Sequence, residues 1–347
     1  MPTSRTPVWT RAWLALSVIL VLTAAHRTAA QSASPGRVCD ILFAGGRIVD
    51  GTGAPWFRGD VCVAAGRIAE IGHFGSVQAR RRIDASKLVV APGFIDMMGQ
   101  SEYRLLVDGR AASKITQGIT TEVTGEGSSI APTDARLIAA GRATYEHFGY
   151  TPTFTTLRGY FAELEKRGTS LNLATFVGAG GLRSLVIGDD DRKATPVELE
   201  RMKALVAEAM EDGALGLSTS LIYVPDHFAS TEEIIELAKV VARYGGSYIT
   251  HQRDEGDDGG GGLDASMDEV MRIAREAALP AEIYHLKASG KRNWGRMSDL
   301  LRRIEDARAA GLDVSADQYP WAASSNNLDA SLPFYLLAAL NVGCIVA

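Results

Sequence analysis

Residues 245–255 read GGSYITHQRDE and residues 281–288 read AEIYHLKA, and these two stretches decide the fold. In each, a short apolar run ends in a histidine, His251 in the first stretch and His285 in the second. Apolar side chains fall on both faces of the runs, as in strands that are buried on both sides of a parallel sheet. A helical stretch follows each run, so the two are predicted to be successive β/α units.

The alternation of strand and helix continues outward and gives seven β/α steps between residues 93 and 321. One helix has clear start signals: Thr195 as N-cap, Pro196 at the first position and Glu198 closing a capping box. An open nucleotide-binding sheet would need a Gly-rich loop after its first strand, and GFID at residues 93–96 is not one. The pattern predicts an α/β fold built as a (β/α) barrel, with seven of eight strands.

The N-terminal segment, residues 1–30, has the pattern of a secretory signal peptide. Arg5 and Arg11 supply positive charge, the run WLALSVILVLTAA follows at residues 13–25, and small residues come next. The alternative is an uncleaved membrane anchor, for which this apolar run is short. We expect cleavage, and therefore a periplasmic or secreted protein without a stable membrane span.

Three segments make up the rest of the chain. Residues 31–90 alternate apolar and polar positions between Gly-rich turns, which predicts a small β module. The barrel is assigned to residues 91–334, and residues 335–347 are an atypical apolar tail. Cys39 and Cys62 fall on two strands of the β module, where they either form a disulfide or remain buried thiols.

Composition and charge narrow the classes of function. Apolar residues make up 46% of the chain and charged residues 22%, as in ordinary soluble enzymes. The net charge is −5 and there is no basic run, which argues against a nucleic-acid partner.

Histidines at strand ends are the first candidates for chemistry, because barrel active sites form at the C-terminal ends of the strands. Either His251 or His285 alone would most simply be a hydrogen-bonded residue at a strand end. Together, on adjacent strands, they favour a metal or catalytic role, since neutral imidazole is a common zinc ligand. His73 and His147 fit surface or packing roles, and His227 fits either a pocket lining or a surface loop.

Several motifs together resemble the N-acyl-D-amino-acid deacylases (D-aminoacylases) of the amidohydrolase superfamily, over residues 38–334. The matching stretches are residues 60–72, APGFID (91–96), KITQGITTEVTG (114–125), GALGLSTSLIYVP (213–225), YITHQRDE (248–255), HLKASG (285–290) and DQYPW (317–321). The resemblance implies a metal-dependent-hydrolase barrel beside a small β module. It also implies a small-molecule substrate, an N-acyl-D-amino acid or similar, whose linear amide bond is cleaved to release a D-amino acid and a carboxylate.

The resemblance also implies roles for individual residues. His251 and His285 match metal ligands of the family, and Tyr223 and Lys287 match residues that bind the substrate carboxylate. An ammonium and a phenol are suitable partners for a carboxylate. A zinc ion in such a site lowers the pKa of water to about 7, so that the water can attack the amide carbonyl.

Departures from the family pattern point to one metal ion. The family carries His-x-His after the Phe-Ile-Asp aspartate, and this chain has Met98 and Gln100 there, so one zinc position is expected to be lost. Glu126 lies beside the position of the family's bridging cysteine and is a candidate replacement ligand, the alternative being a loop carboxylate. Glu102 is a further candidate close by, and Ala179 stands where a histidine is often found.

The family's proton-shuttling aspartate belongs to an eighth strand that has no counterpart in this chain. No catalytic residue is therefore assigned, and little or no hydrolysis is expected from a chain of this length. Three hypotheses remain: a one-zinc deacylase, a catalytically degenerate exported barrel that binds a small acylated amino acid or peptide, and an inactive fragment. Metal content separates the first two, and solubility separates the third.

Overall fold

The structure is a computed structural model that describes residues 38–256, 261–321 and 323. The predicted signal peptide at residues 1–30 and the apolar tail at 335–347 lie outside these residues. The described chain forms two compact units, divided between Pro92 and Gly93. No helix in the described ranges is both long and apolar enough to cross a membrane.

The first unit is the predicted β module. Its strands are β1 (Cys39–Ile48), β2 (Phe57–Ala64), β3 (Arg67–Gly72), β4 (Ala79–Asp84) and β5 (Val89–Val90). β1 pairs antiparallel with β2 and parallel with β4 and β5, and β2 pairs antiparallel with β3. A disulfide joins Cys39 to Cys62 beside buried Leu42, so of the two alternatives the structure has the paired form.

The second unit contains two parallel sheets. A three-stranded sheet has the order β6-β7-β8, and a five-stranded sheet has the order β13-β12-β11-β10-β9. The strands are β6 (Phe94–Asp96), β7 (Ile119–Thr124), β8 (Asn172–Thr175), β9 (Val177–Gly178), β10 (Gly216–Ser220), β11 (Ser247–His251), β12 (Ala281–Ile283) and β13 (Val314–Ala316). All pairings within these two sheets are parallel, which confirms the α/β class that the β/α alternation predicts.

The apolar stretch of residues 172–181 is divided between two strands in the structure. The run NLATFVGAGG is interrupted at Phe176, so that β8 pairs with β7 and β9 pairs with β10. The backbone N–H of Phe176 still donates to the carbonyl of Thr124, at 2.9 Å. The two sheets therefore follow one another along a single stretch of chain, which periodicity alone reads as one strand.

Helices follow the strands as predicted, with shorter pieces near the start of the unit. They are α1 (Glu102–Val107), α2 (Ala112–Ile115), α3 (Ala135–Ala140), α4 (Arg142–Phe148), α5 (Leu157–Arg167), α6 (Ala179–Val186), α7 (Pro196–Glu211), α8 (Thr231–Ala242), α9 (Gly262–Ala277) and α10 (Met297–Ala309). The capping box of α7 is confirmed, since Thr195 accepts from the backbone of Glu198 and the Glu198 side chain accepts from the backbone of Thr195.

Both faces of the central strands are buried, as their two-sided apolar sequences predict. Tyr248 of β11 belongs to the main core that the strands share with the helices. Its neighbour Ile249 points to a second cluster with Val123, Phe176 and Tyr284, against which Met98 packs. Met98 thus fills apolar space in this cluster.

A buried ion pair connects two helices of this unit. Arg183 on α6 is fully buried, and its Nη1 donates to both carboxylate oxygens of Glu233 on α8, at 2.6 and 2.8 Å. Its Nη2 donates to the carbonyl of Arg192, at 2.8 Å. At the start of the same α6, the N–H of Gly181 donates to the carbonyl of Gly127, at 3.2 Å. The pair therefore stabilises the helix on which the loop after β7 rests.

Candidate metal centre

Three ionisable side chains meet where neighbouring strands end: Glu126 after β7, His251 at the end of β11 and His285 after β12. Their possible ligand atoms all lie within 4.8 Å of one another. Oε1 of Glu126 lies 3.0 Å from Nδ1 of His251 and 3.7 Å from Nε2 of His285. The two imidazole rings meet edge to face with centroids 4.4 Å apart. The structure thus brings together the three residues that the sequence suggests as ligands.

Two glycines place Glu126 in this cluster. Gly125 and Gly127 have φ values of +97° and +61°, a left-handed conformation that other residues adopt at a cost. A Cβ atom on Gly125 would lie 2.3 Å from the carbonyl oxygen of Phe176, and one on Gly127 would lie 2.5 Å from Cβ of Ser220. The chain can therefore turn tightly against the neighbouring strands and present the Glu126 carboxylate to the histidines.

Polar neighbours orient the Glu126 carboxylate. Nε2 of Gln100 donates to Oε2 of Glu126 at 2.9 Å, and Oγ of Ser220 donates to Oε1 at 3.5 Å. Oε2 accepts the hydrogen bond from Gln100, and Oε1 is the oxygen that faces the imidazoles. Gln100, which the sequence comparison treats only as a lost ligand, is a partner of the replacement ligand instead.

His285 is held in an unusual backbone conformation. Its φ is +37°, a value that is uncommon for any residue with a Cβ atom. The backbone N–H of His285 donates to Oδ1 of Asp317 at 2.6 Å, and the N–H of Leu286 donates to the carbonyl of Asp317 at 2.9 Å. Asp317, just after β13, therefore fixes the turn that aims the imidazole at Glu126.

A second carboxylate, Glu255, lies on the other side of the two rings. Its Oε1 is 3.1 Å from Nδ1 of His285 and 3.6 Å from Nε2 of His251. The ammonium of Lys287 lies 2.5 Å from the same oxygen and 2.7 Å from Nδ1 of His285. Each histidine thus faces Glu126 with one ring nitrogen and Glu255 with the other.

These charges shift the pKa values of the cluster. Burial would raise the pKa of Glu126, but hydrogen bonds with His251 and His285 outweigh it and hold that pKa far below its usual range. Burial likewise opposes the hydrogen bond from His285 that lowers the pKa of Glu255 to about 2. Burial would lower the pKa of His285, but hydrogen bonds to Glu126 and Glu255 raise it to about 9. Both carboxylates are therefore ionised at neutral pH.

The donor set on the Glu126 side fits a zinc ion. An ionised carboxylate and two imidazoles are ligands that zinc accepts, and three protein ligands are typical of catalytic zinc sites. His251 and His285 are only 6% and 5% exposed, so a cation there would be held away from bulk water. On the Glu255 side, the ammonium of Lys287 already supplies the positive charge.

Other residues that the sequence singles out lie around this cluster. The ring of Tyr223 meets that of His251 edge to face, with centroids 5.7 Å apart. Glu102 is not part of the three-ligand cluster, and burial raises its pKa to about 7. Nδ1 of His227 donates to the carbonyl of Leu221 at 3.0 Å, within the loop that carries Tyr223.

Arg253, two residues after His251, contacts α9 and the loop after β10. Its guanidinium donates to the carboxylate of Glu269 at 2.9 Å. It also donates to the carbonyls of His227 and Ala229, at 2.9 and 3.0 Å. Arg253 therefore holds the loop that carries Tyr223 against α9.

Sequence reasoning missed Gln100, Glu255 and Asp317 as partners of the cluster. A signal for Glu255 was present, because it follows His251 by four residues in the same quoted motif. Asp317 also lies in a quoted motif, DQYPW, directly after a strand. Which ring nitrogen or backbone group each one contacts depends on the fold of distant segments, which the motifs do not specify.

Asp226 gives the stability of this region a pH dependence. It is 2% exposed, and burial raises its pKa from 3.8 to about 7, although its Oδ2 accepts from the N–H of Ser220 at 2.6 Å. A carboxyl whose pKa is higher in the folded state than in the unfolded state contributes its full stabilisation when the pH is below the unfolded-state pKa. That contribution is lost as the pH rises through about 7.

Asp226→Asn is therefore expected to raise the free energy of unfolding at pH 8 relative to the parent. The gain is on the order of 4 kcal/mol, since each pH unit between the two pKa values is worth about 1.4 kcal/mol. The amide oxygen can keep the hydrogen bond from Ser220. Urea unfolding from pH 4.5 to 8 measures the effect. A difference between variant and parent that does not change with pH would rule out Asp226 as its source.

No family model matches the sequence, but individual proteins and solved structures do. The chain is 40% identical over 299 residues to a D-aminoacylase of Alcaligenes xylosoxydans xylosoxydans, covering 86% of this chain and 60% of that protein. An N-acyl-D-glutamate deacylase from Bordetella bronchiseptica, solved with zinc and a phosphonate inhibitor, superposes with a TM-score of 0.74 at 36% identity. That match covers 82% of this chain and 59% of the other.

A D-aminoacylase structure described as having a binuclear metal centre, with one-metal activation and second-metal attenuation, superposes with a TM-score of 0.73. The two chains are 39% identical, and the match covers 82% of this chain and 59% of that D-aminoacylase. The chain thus spans about three fifths of the length of the relatives it matches. These matches confirm the expected fold class, an α/β fold of the amidohydrolase type with a small β module. By sequence and by fold, the chain is a homologue of the D-aminoacylases and N-acyl-D-amino-acid deacylases of the amidohydrolases.

Proposed function

We propose that this chain provides a one-zinc site for the hydrolysis of N-acyl-D-amino acids, releasing a D-amino acid and a carboxylate. The observation that carries the proposal is the meeting of Glu126, His251 and His285 beside Lys287 and Tyr223. The relatives support the substrate class, because they are named for D-aminoacylase and N-acyl-D-glutamate deacylase activity. A single ion is favoured because Met98 packs into an apolar cluster and Gln100 donates to Glu126.

Each residue has a part that follows from its chemistry. Glu126, His251 and His285 would hold the ion, which when bound lowers the pKa of water and polarises a carbonyl. Lys287 would bind the substrate carboxylate with its ammonium, and Tyr223 would add its phenol at the edge of His251. Gln100 and Asp317 would keep Glu126 and His285 in place before substrate arrives.

The proposal is tested by incubating the purified, zinc-loaded chain with N-acetyl-D-leucine, N-acetyl-D-glutamate and their L-enantiomers. We expect slow release of the D-amino acid that requires zinc and disappears in His251→Ala. Chiral chromatography of the product gives the required sensitivity. His147→Ala, an exposed histidine on α4, is the matched control and should retain the parent rate.

Each alternative hypothesis has its own outcome in this assay. Zinc-loaded protein that binds N-acetyl-D-amino acids without cleaving them would identify a degenerate binding protein. Soluble protein that takes up no zinc would refute the metal site itself. Protein that cannot be obtained in soluble form would favour the inactive fragment.

We further propose that the protein is exported to the periplasm or secreted. The support is the signal-like sequence of residues 1–30, together with the disulfide between Cys39 and Cys62, since disulfides persist in oxidising compartments. N-terminal sequencing of the mature protein tests this, with cleavage before Gln31 expected. A mature chain that starts at Met1 and sediments with membranes would instead identify an anchor.

A further inference from the structure

Glu255 has no assigned role in the proposed function, yet it faces both histidines. Its Oε1 lies 3.1 Å from Nδ1 of His285 and 3.6 Å from Nε2 of His251. These are the two ring nitrogens that point away from Glu126. Nε2 of His251 is buried and has no hydrogen-bond partner among the described residues. Glu255 is therefore the acceptor within reach if both nitrogens carry a proton.

A metal ion on the Glu126 side requires this proton arrangement. An imidazole that binds a metal through one nitrogen keeps its proton on the other nitrogen. Metal-bound histidines usually donate that proton to a carboxylate or carbonyl, which fixes the tautomer and orients the ring. With Nδ1 of His251 and Nε2 of His285 facing Glu126, the protonated nitrogens would be those that face Glu255.

Lys287 opposes this arrangement of protons. Its ammonium donates to Oε1 of Glu255 at 2.5 Å and lies 2.7 Å from Nδ1 of His285. An ammonium at this distance favours a lone pair on Nδ1, and so places the proton of a neutral His285 on Nε2. Nε2 is the nitrogen that the metal needs, so Lys287 competes with the metal-binding tautomer.

We infer that Glu255 is a positioning residue for both metal ligands and that Lys287 antagonises it, so that a carboxylate which draws Lys287 away strengthens metal binding. This inference rests on the proposed metal site and deepens it. The same lysine would bind the substrate carboxylate and, in doing so, move its charge away from the metal ligand His285. Metal and substrate carboxylate would then bind cooperatively, each increasing the affinity for the other.

The test compares zinc dissociation constants of the parent, Glu255→Gln and Lys287→Met, measured with a competing chelator. Glu255→Gln is expected to weaken zinc binding about 10–100-fold, as is usual for outer-shell partners of metal ligands. Lys287→Met is expected to tighten it about tenfold, because a like charge is removed from beside the ring. Glu276→Gln, an exposed carboxylate on α9, is the matched control.

Opposite signs distinguish this inference from a structural role, since a loosened fold would weaken zinc binding in both variants. Nitrogen-15 spectra of the zinc-loaded parent give an independent readout, with protons expected on Nδ1 of His285 and Nε2 of His251. Weaker binding in both variants, or an unchanged constant in Glu255→Gln, would overturn the inference and leave the metal site standing. A parent that binds no zinc would overturn both.

Discussion

Bound zinc is expected to fall from about one ion per chain to background when either His251 or His285 is replaced by alanine. In the proposed site each histidine would supply one of three ligands, and both histidines are buried. A single variant leaves Glu126 and one histidine, and we expect these two ligands not to retain the ion through dialysis. Elemental analysis of dialysed protein, normalised to protein concentration, measures the effect.

One control and one further ligand variant make this result specific. His147→Ala removes an exposed histidine from α4 and should leave the zinc content unchanged. Glu126→Gln keeps the shape of the third ligand but removes its charge, and it should also lose zinc. Retention of zinc in the double variant His251→Ala/His285→Ala would place any metal elsewhere and contradict the proposed site.

The parts of this molecule that follow from sequence are those set by local patterns. Two-sided apolar strands followed by helices predict the parallel sheets, and the capping box at Thr195 predicts the start of α7. The convergence of His251 and His285 also follows, because parallel strands end at the same edge of a sheet. Periodicity therefore places these residues correctly without any knowledge of their side-chain contacts.

The parts that do not follow depend on packing between distant segments. Gln100 contacts Glu126 across 26 positions, and Lys287 contacts Glu255 across 32. Neither pair lies on one helix or strand, so the periodicity of the sequence does not indicate these contacts. The break at Phe176 is missed for a similar reason, since its apolar sequence is continuous while its hydrogen bonds change partner strand. The sequence pointed to the candidate ligands but not to the groups that orient them.

Glu233→Ala is expected to lower the free energy of unfolding by about 3–5 kcal/mol, the usual cost of removing one partner from a buried ion pair. The size follows from burial: Arg183 has no exposed surface, and Glu233 accepts both of its Nη1 hydrogen bonds. Without Glu233, a full positive charge remains away from water, and among the described residues the carbonyl of Arg192 is the hydrogen-bond acceptor left to it. Urea unfolding followed by circular dichroism measures the loss.

The exposed pair of Arg142 and Glu146 on α4 is the matched control, with side chains 79% and 61% exposed. Glu146→Ala should change stability by less than about 1 kcal/mol, because solvent screens exposed ion pairs. Adding Arg183→Met to Glu233→Ala should recover part of the loss, since it removes the uncompensated charge. A loss in Glu233→Ala no larger than that in Glu146→Ala would show that water reaches Arg183. The support that α6 gives to the Glu126 loop would then have to come from apolar packing alone.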